Sequence, residues 1–370
     1  MPVLLFIGVL ACQLQAAETD QGLGSDEVNQ VNAWLAAQQD IGILAIGESA
    51  HDSPATQKAR NQLILDLVRR DLIGLIILES GFVESRTIDS YVRGKELRDL
   101  RLASGLTNGF DLFPPNLELI EAVRQVNADR ADAGRIRLFG MDLSGGGPWG
   151  AAPGMAPIEC ALEASDPRRR EELRQRFQHL IGPGLQGQPV TPAIIAGYDD
   201  AVRDLRRSLS VSVPREIDLC ATIATHGVQL LTTLPHGMPG SGIPASAWRS
   251  IETRDRLMAD NVEALLPLAN GKLVIIVTHV SHSAISAMEG PRWQHLDKAP
   301  ESMGMVLRKR FGGRYRSVLV LAEQKEQGCF RKNDASVIMR LPDYPCPVTI
   351  NGDDTQLLTL SSATDLVVLP

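Results

Sequence analysis

The chain has 370 residues, of which 44% are hydrophobic and 22% are charged, a balance typical of a globular protein with one large unit or two domains. Its formal net charge is −7, and its lysines and arginines are scattered along the sequence rather than clustered. Aromatic residues make up only 4%, so the chain has few side chains on which nucleic acid bases could stack. These properties exclude nucleic acid as the partner.

Residues 1–17 are predicted to be a secretory signal peptide. Their apolar stretch, residues 3–11, is too short to span a membrane, and small residues follow it where cleavage is expected. The lack of a positive charge after Met1 is unusual for such a signal. A lipid anchor at Cys12 is the alternative, which the bulky Leu10 disfavours. We therefore expect a periplasmic or secreted protein with no stable membrane span, and its oligomeric state stays open.

Continuous apolar runs, without the alternation of a half-exposed strand, are typical of a parallel sheet that is covered on both faces. Helical patterns separate these runs, so the sequence predicts an α/β fold with a mainly parallel central sheet flanked by helices. In the first part of the core, residues 18–150, the predicted elements are helix 27–39, strand 41–47, helix 53–71, strand 75–78, helix 84–92, helix 116–127 and strand 136–141.

Residues 151–266 are predicted to be an inserted helical subdomain, because they contain no comparable apolar run and are rich in charged residues and alanine. This insertion could form a wall or lid over the strand ends, and the α/β core resumes over residues 267–370. The predicted elements are helices near 158–180, 191–209, 214–233 and 246–266, strand 272–277, helix 303–311, strand 317–322 and short β-like runs at 337–341 and 357–360.

Ionisable side chains follow four of the predicted strands at the points where these strands end. In open parallel sheets ligands bind outside the carboxyl ends of the strands, so we expect these side chains to form an active site for a small-molecule substrate. They are Glu48 and His51 after the first strand, Glu79 after the second, Asp142 after the third, and His279 and His282 after the fourth.

His51 is the candidate general base. It precedes a helix whose N-terminal partial charge is expected to lower the pKa of an imidazole, and a base must be neutral. Glu48, three residues earlier, would orient the ring or stabilise its charged form. Glu79 needs a partner, since burying a lone carboxylate costs several kcal/mol, and Arg60 is the candidate. A purely structural Glu79–Arg60 ion pair is the competing interpretation.

The same imidazoles and carboxylates could instead hold a divalent metal ion. However, Glu48-x-x-His51 in a loop does not match the His-Glu-x-x-His helix of zinc proteases, so we assign no metal ligand and no cofactor. The sequence also lacks a phosphate-binding loop and a Gly-x-Ser-x-Gly motif, which disfavours nucleotide binding and a serine hydrolase.

Four cysteines follow the leader, and an even number in an exported chain suits two disulfide bonds. Cys160–Cys220 and Cys329–Cys346 are the simplest of the three pairings, because each stays within one region of the chain. None of the four lies in a Cys-x-x-Cys motif or beside a histidine, so a thiol nucleophile or a zinc site is not expected.

Several short motifs together resemble the erythromycin esterase family, in the order in which that family has them and over residues 40–320. The resemblance implies an α/β sheet with a helical insertion and a metal-independent hydrolase that opens a macrolide lactone with activated water. The motifs are Gly47-Glu48-Ser49-Ala50-His51, Arg60, Leu78-Glu79-Ser80-Gly81, Ile88 to Val92, Gly140-Met141-Asp142, Arg254-Asp255 with Met258 and Asn261, His279-x-x-His282, and Met303-Gly304 with Leu307.

We therefore expect an exported hydrolase in which a water molecule, activated by His51, attacks an ester or lactone carbonyl. A metal-dependent hydrolase with the same cleft is one alternative. A non-catalytic ligand-binding homologue is another, because Val280 stands where the family often has asparagine. The predicted catalytic residues are His51, Glu48 and Glu79, and the predicted substrate-binding residues are Arg60, Asp142, Arg254, His279 and His282.

Overall fold

A central sheet of six parallel strands, flanked by helices, confirms the predicted α/β fold. The strands are β1 (Ile43–Glu48), β2 (Ile73–Gly81), β3 (Arg137–Asp142), β4 (Leu273–His279), β5 (Tyr315–Val320) and β6 (Leu366–Val368). Their order is β3-β2-β4-β1-β5-β6, so β4 lies between β1 and β2.

The computed structural model describes residues 25–38, 40–48, 51, 53–97, 106–107, 110, 113–145, 152–186, 188–210, 212–233, 245–287, 298–320 and 365–368.

Alternate residues of each strand enter two different apolar cores, one on each face of the sheet. In β1, Ile43 and Ala45 belong to the core on one face, and Leu44 and Ile46 belong to the core on the other. This two-sided burial explains why the strand sequences are continuously apolar.

The flanking helices are α1 (Ser25–Ala37), α2 (Pro54–Arg69), α3 (Phe82–Val92), α4 (Pro114–Ala128), α5 (Ala156–Leu162), α6 (Pro167–Leu185), α7 (Pro192–Ser208), α8 (Arg215–Thr233), α9 (Ala245–Leu265), α10 (Val280–Ser283) and α11 (Met303–Phe311).

Helices α5 to α9 lie between β3 and β4 in the sequence and cover one face of the sheet. The segment predicted as one helix near 158–180 is two helices, because Pro167 starts a new helix and the Asp166 side chain caps it by accepting from the backbone of Arg168. A disulfide bond joins Cys160 of α5 to Cys220 of α8, which confirms this predicted pairing. The division of the chain into domains stays a prediction.

Three predictions fall outside the residues that the structure describes: the leader, the Cys329–Cys346 bond, and the β-like runs 337–341 and 357–360. Strand β6 was not predicted from the sequence. Among the described helices, none combines the length and the apolar character that a membrane span requires.

A bulge in β2 presents Glu79 at the carboxyl edge of the sheet. The register of β2 against β3 shifts between Leu78 and Gly81. Gly140 of β3 makes this possible, because a Cβ atom there would lie 2.1 Å from the carbonyl oxygen of Ser80. Strands β1 and β4, in contrast, pair without a register shift up to their last residues.

Candidate active site

The structure brings all the residues predicted for the site together at the carboxyl edge of the sheet. They form a chain of alternating charge in which each acidic group contacts a basic one. In order, the contacts join Arg60 to Glu48, Glu48 to His51, His51 to Glu79, Glu79 to Arg254 and His282, and Arg254 to Asp142, while His279 contacts Glu79 through its backbone.

Arg60 is fully buried and pairs with Glu48, the last residue of β1. Its Nη1 donates to Glu48 Oε1 at 2.7 Å. The guanidinium also donates to the side-chain oxygens of Asn61 and Asn116. The predicted Arg60–Glu79 pair is therefore wrong, because α2 begins directly after β1 and runs back along it, which places Arg60 against the end of that strand.

Glu79 accepts from donors on two other structural elements. Its Oε2 accepts from the Thr278 hydroxyl at 2.7 Å and from the backbone N–H of His279 at 2.9 Å, both at the end of β4. Its Oε1 accepts from Arg254 Nη2 of α9 and lies 3.3 Å from His282 Nε2. Burial alone raises the pKa of Glu79, but the neighbouring imidazoles outweigh it and hold this pKa well below its usual range.

Helix α9 of the insertion supplies the cation that pairs with Glu79. Arg254 binds Asp142, at the end of β3, with two hydrogen bonds of 3.0 and 2.6 Å, and it donates to Glu79 at 3.3 Å. Two helical turns further along, the side chain of Asn261 donates to the backbone carbonyl of Met141 and fixes α9 on the same strand. Asp142 is therefore part of the charged network.

The two late histidines differ in their partners. His282 Nδ1 contacts Asp255 of α9, so its ring lies between two carboxylates. His279 Nδ1 accepts from the backbone N–H of Ser281 at 3.1 Å. A neutral His279 ring must therefore carry its proton on Nε2.

His51 lies between two carboxylates, with Nδ1 3.7 Å from Glu48 Oε1 and Nε2 3.5 Å from Glu79 Oε2. Phe110 and His279 pack near the ring, with centroid distances of 5.1 and 5.6 Å. Burial alone lowers the pKa of His51, but the carboxylates of Glu79 and Glu48 outweigh it and raise this pKa to about 10. The expectation of a lowered pKa is wrong, because two full negative charges outweigh the half charge of a helix end.

Two polar atoms of the Glu48–His51 pair are buried and have no hydrogen-bond partner among the described residues. They are Glu48 Oε2 and His51 Nδ1, whose 3.7 Å separation from Glu48 Oε1 is too long for a hydrogen bond. Oε1 of Gln57, on the first turn of α2, is a third such atom. Leaving a buried polar atom unpaired costs about 1–3 kcal/mol, so these atoms are suited to bind a water molecule or a polar group of a substrate.

Several residues of the network were not assigned from the sequence. Asp255 and Thr278 lie next to residues that were assigned, and Asp255 also belongs to the Arg254-Asp255 motif of the resemblance, but neither was given a role. Asn116 and Phe110 lie far from the other site residues in the sequence and gave no signal, since only the folded chain brings them to Arg60 and His51.

The sequence profile of the erythromycin esterase family matches residues 74–324, which is more than half of the chain. The chain belongs to the erythromycin esterase family. The matched region starts within β2, so β1 and the loop with His51 precede it. None of the curated proteins compared with this member of the family matches it.

Solved structures of other proteins have a similar fold. A protein from Bacillus cereus is 17% identical, with a TM-score of 0.61, over 80% of this chain and 69% of its own. A succinoglycan biosynthesis protein is 15% identical, with a TM-score of 0.61, over 79% of this chain and 69% of its own. A mutant of the erythromycin esterase EreC in its open conformation is 16% identical, with a TM-score of 0.55, over 80% and 73%. At these identities the likeness concerns the fold.

Proposed function

We propose that this protein is a hydrolase that cleaves an ester or lactone with a water molecule activated by His51. The observation that carries the proposal is the exposure of His51. Its side chain is 26% exposed, whereas those of its two carboxylate partners are at most 5% exposed. In its neutral form, His51 is thus a proton acceptor that water and substrate can reach, backed by two groups that stabilise its charged form.

In the proposed reaction, neutral His51 takes a proton from water while the oxygen of that water attacks the carbonyl carbon. Glu48 and Glu79 stabilise the imidazolium that forms, and Glu48 Oε2, which has no hydrogen-bond partner within the described part of the chain, is suited to accept the second hydrogen of the attacking water. The tetrahedral intermediate carries a negative oxygen that needs a donor. We assign this donor to the ring of His279, which packs against His51. When the intermediate collapses, the C–O bond of the ester breaks and the His51 imidazolium returns its proton to the leaving alkoxide.

Replacing His51 tests this mechanism. We expect His51→Gln to keep its fold and to lose ester hydrolysis by roughly 10²- to 10⁴-fold, as is usual when a general base is removed. His179→Gln, an exposed histidine on α6, is the control and is expected to leave the rate unchanged. A His51→Gln protein that is as active as the parent would contradict the assignment of the base.

The substrate class is tested with a panel of macrolides, aryl esters and small lactones. Hydrolysis within this panel supports the proposal and names the leaving group. If the protein binds a compound of the panel tightly but hydrolyses none of them, the result would instead support a ligand-binding homologue.

The metal-dependent alternative makes a different prediction. Within the part of the chain that the structure describes, no group of three or more His, Cys, Asp or Glu side chains is arranged to hold a metal ion. Elemental analysis of protein purified without added metal, followed by chelation, separates the two mechanisms. Stoichiometric metal together with activity that chelators abolish would favour the metal-dependent hydrolase.

We also propose that the protein acts outside the cytoplasm, in the periplasm or in the medium. The Cys160–Cys220 bond supports this, since disulfides form and persist in oxidising compartments. Fractionation of cells that produce the full chain is the test, and mature protein found only in the cytoplasm would contradict it.

A further inference from the structure

The neighbouring residues Arg254 and Asp255 of α9 reach opposite sides of Glu79. Arg254 donates to Asp142 at the end of β3 and to Glu79 itself. Asp255 contacts instead His282, which follows β4. Strand β2, which ends in the Glu79 region, lies between β3 and β4. One turn of α9 therefore places the Arg254 cation on the β3 side of Glu79. It places the Asp255 carboxylate on the β4 side, behind the imidazole of His282.

Both ring nitrogens of His282 face a carboxylate. Nδ1 contacts Asp255 Oδ1, and Nε2 lies 3.3 Å from Glu79 Oε1. Ionised carboxylates only accept hydrogen bonds, so an imidazolium, which carries a proton on each nitrogen, is the form of the ring that suits both neighbours. Burial alone lowers the pKa of His282, but Asp255 and Glu79 outweigh it and raise this pKa to about 10.

The other charged or titratable groups around this pair come from three elements. Arg254 of α9 is held by its own carboxylate, Asp142. The His279 ring of β4 lies 6.5 Å from the His282 ring, between centroids. Tyr315 of β5, which the Asp255 charge reaches, donates its hydroxyl proton to the carbonyl of Ser283. The acidic groups directly against His282 are thus Asp255 and Glu79.

We propose that Asp255 is a positioning residue of this site: it fixes the His282 ring against Glu79 and, through Glu79, sets the orientation of His51. The catalytic consequence rests on the proposed function, in which His51 is the base. Asp255 itself is only 3% exposed and contacts the imidazole rather than the cleft. It therefore acts on the reaction through two other side chains.

Without the Asp255 charge, the Nδ1 proton of His282 would face a neutral or absent acceptor in a buried place. The ring would then lose a proton, and Glu79 would lose one of its two imidazolium partners. Arg254 and the end of β4 would still hold Glu79, and among the described residues His51 would be the imidazole whose side chain still contacts its carboxylate. The geometry of the base would change although no group that meets the substrate had been altered.

The first test is an NMR titration of histidine ring nitrogens in the whole protein without substrate. In the parent, His282 is expected to be an imidazolium at pH 8. In Asp255→Asn, which keeps the size but removes the charge, it is expected to be neutral at that pH. Asp260→Asn, on the surface of the same helix where Asp260 pairs with Arg310, is the control and should leave His282 charged.

The second test is kinetic. Asp255→Asn is expected to lower kcat by roughly 10- to 100-fold with little change in KM, less than the loss of the base itself, because Asp255 acts on His51 only through other side chains. Asp255→Glu, which keeps the carboxylate, is expected to keep His282 protonated and to restore part of kcat. Circular dichroism checks the fold of each variant.

A protonated His282 at pH 8 in Asp255→Asn, or a neutral one in Asp255→Glu, would overturn the proposal. So would a parental kcat in Asp255→Asn. The titration needs no turnover, so it decides the role of Asp255 even if the parent hydrolyses no ester, a result that would refute the proposed function alone.

Discussion

Removing the Arg60 guanidinium is expected to destabilise the fold strongly, because the buried Glu48 would lose its hydrogen-bonded cation and keep, among the described residues, only the 3.7 Å contact with His51. Arg60 is fully buried, and Glu48, its partner at 2.7 Å, is 1% exposed. In Arg60→Met neither oxygen of Glu48 would have a donor among the described residues, since Oε2 has none already. Breaking such a buried pair from one side costs about 3–5 kcal/mol in free energy of unfolding.

Urea unfolding followed by circular dichroism measures this loss from the shift in midpoint. Arg70→Met is the control at the end of the same helix: Arg70 is 46% exposed and lies 3.5 Å from Asp66, so its loss should cost about 0–1 kcal/mol. The double variant Arg60→Met/Glu48→Gln removes the stranded charge and should regain about 2 kcal/mol.

Two results would refute this reasoning. One is an Arg60→Met protein that loses no more stability than Arg70→Met. The other is a double variant that is no more stable than Arg60→Met alone, which would mean that the loss comes from packing and not from the charge of Glu48.

Three further predictions concern the pH dependence of activity, the pH dependence of stability, and the disulfide. If His51 is the base, its pKa of about 10 means that kcat/KM should rise about tenfold per pH unit above pH 7 and still rise at pH 9, so a plateau reached by pH 7 would contradict the raised pKa. The stabilisation from charged His51 should be complete below about pH 6.5 and lost as the pH rises towards 10, while that from ionised Glu79 should be lost as the pH falls below about 4.5. The Cys160–Cys220 bond, with a sequence separation of 60, should stabilise the fold by about 4 kcal/mol. The measurement is the urea midpoint with and without reductant. Alkylation of both thiols in unreduced periplasmic protein would contradict the bond.

The strands could be predicted because burial on both faces leaves a plain mark in the sequence. Ile275 and Ile276 of β4 are consecutive apolar residues that enter different cores, and such runs identified five of the six strands. β6 could not be found in this way, since it has three residues. Asp365, just before it, binds the backbone of Ser317 and the side chain of Arg308, and no local pattern reveals those contacts.

The site could be predicted as a set of residues but not as a set of pairs. Strand ends show where Glu48 and Glu79 must lie, yet the choice of partner depends on how helices return to the sheet. Arg60 was therefore predicted to pair with Glu79, whereas its partner is Glu48. No local sequence pattern indicated the contact between Asp255 and His282. The pKa of His51 was predicted in the wrong direction for the same reason, because its sign depends on two carboxylates whose distances only the fold sets.

The position of β4 between β1 and β2 has a consequence for the synthesis of this chain. β2 can pair with β3 soon after both leave the ribosome, but the neighbours of β1 are β4 and β5, which are translated much later. Until Leu273 and the residues after it emerge, the backbone hydrogen-bonding groups of β1 have no strand to pair with. β1, the first of the described strands to be made, is thus an unpaired edge during this time, which exposes it to pairing with other chains.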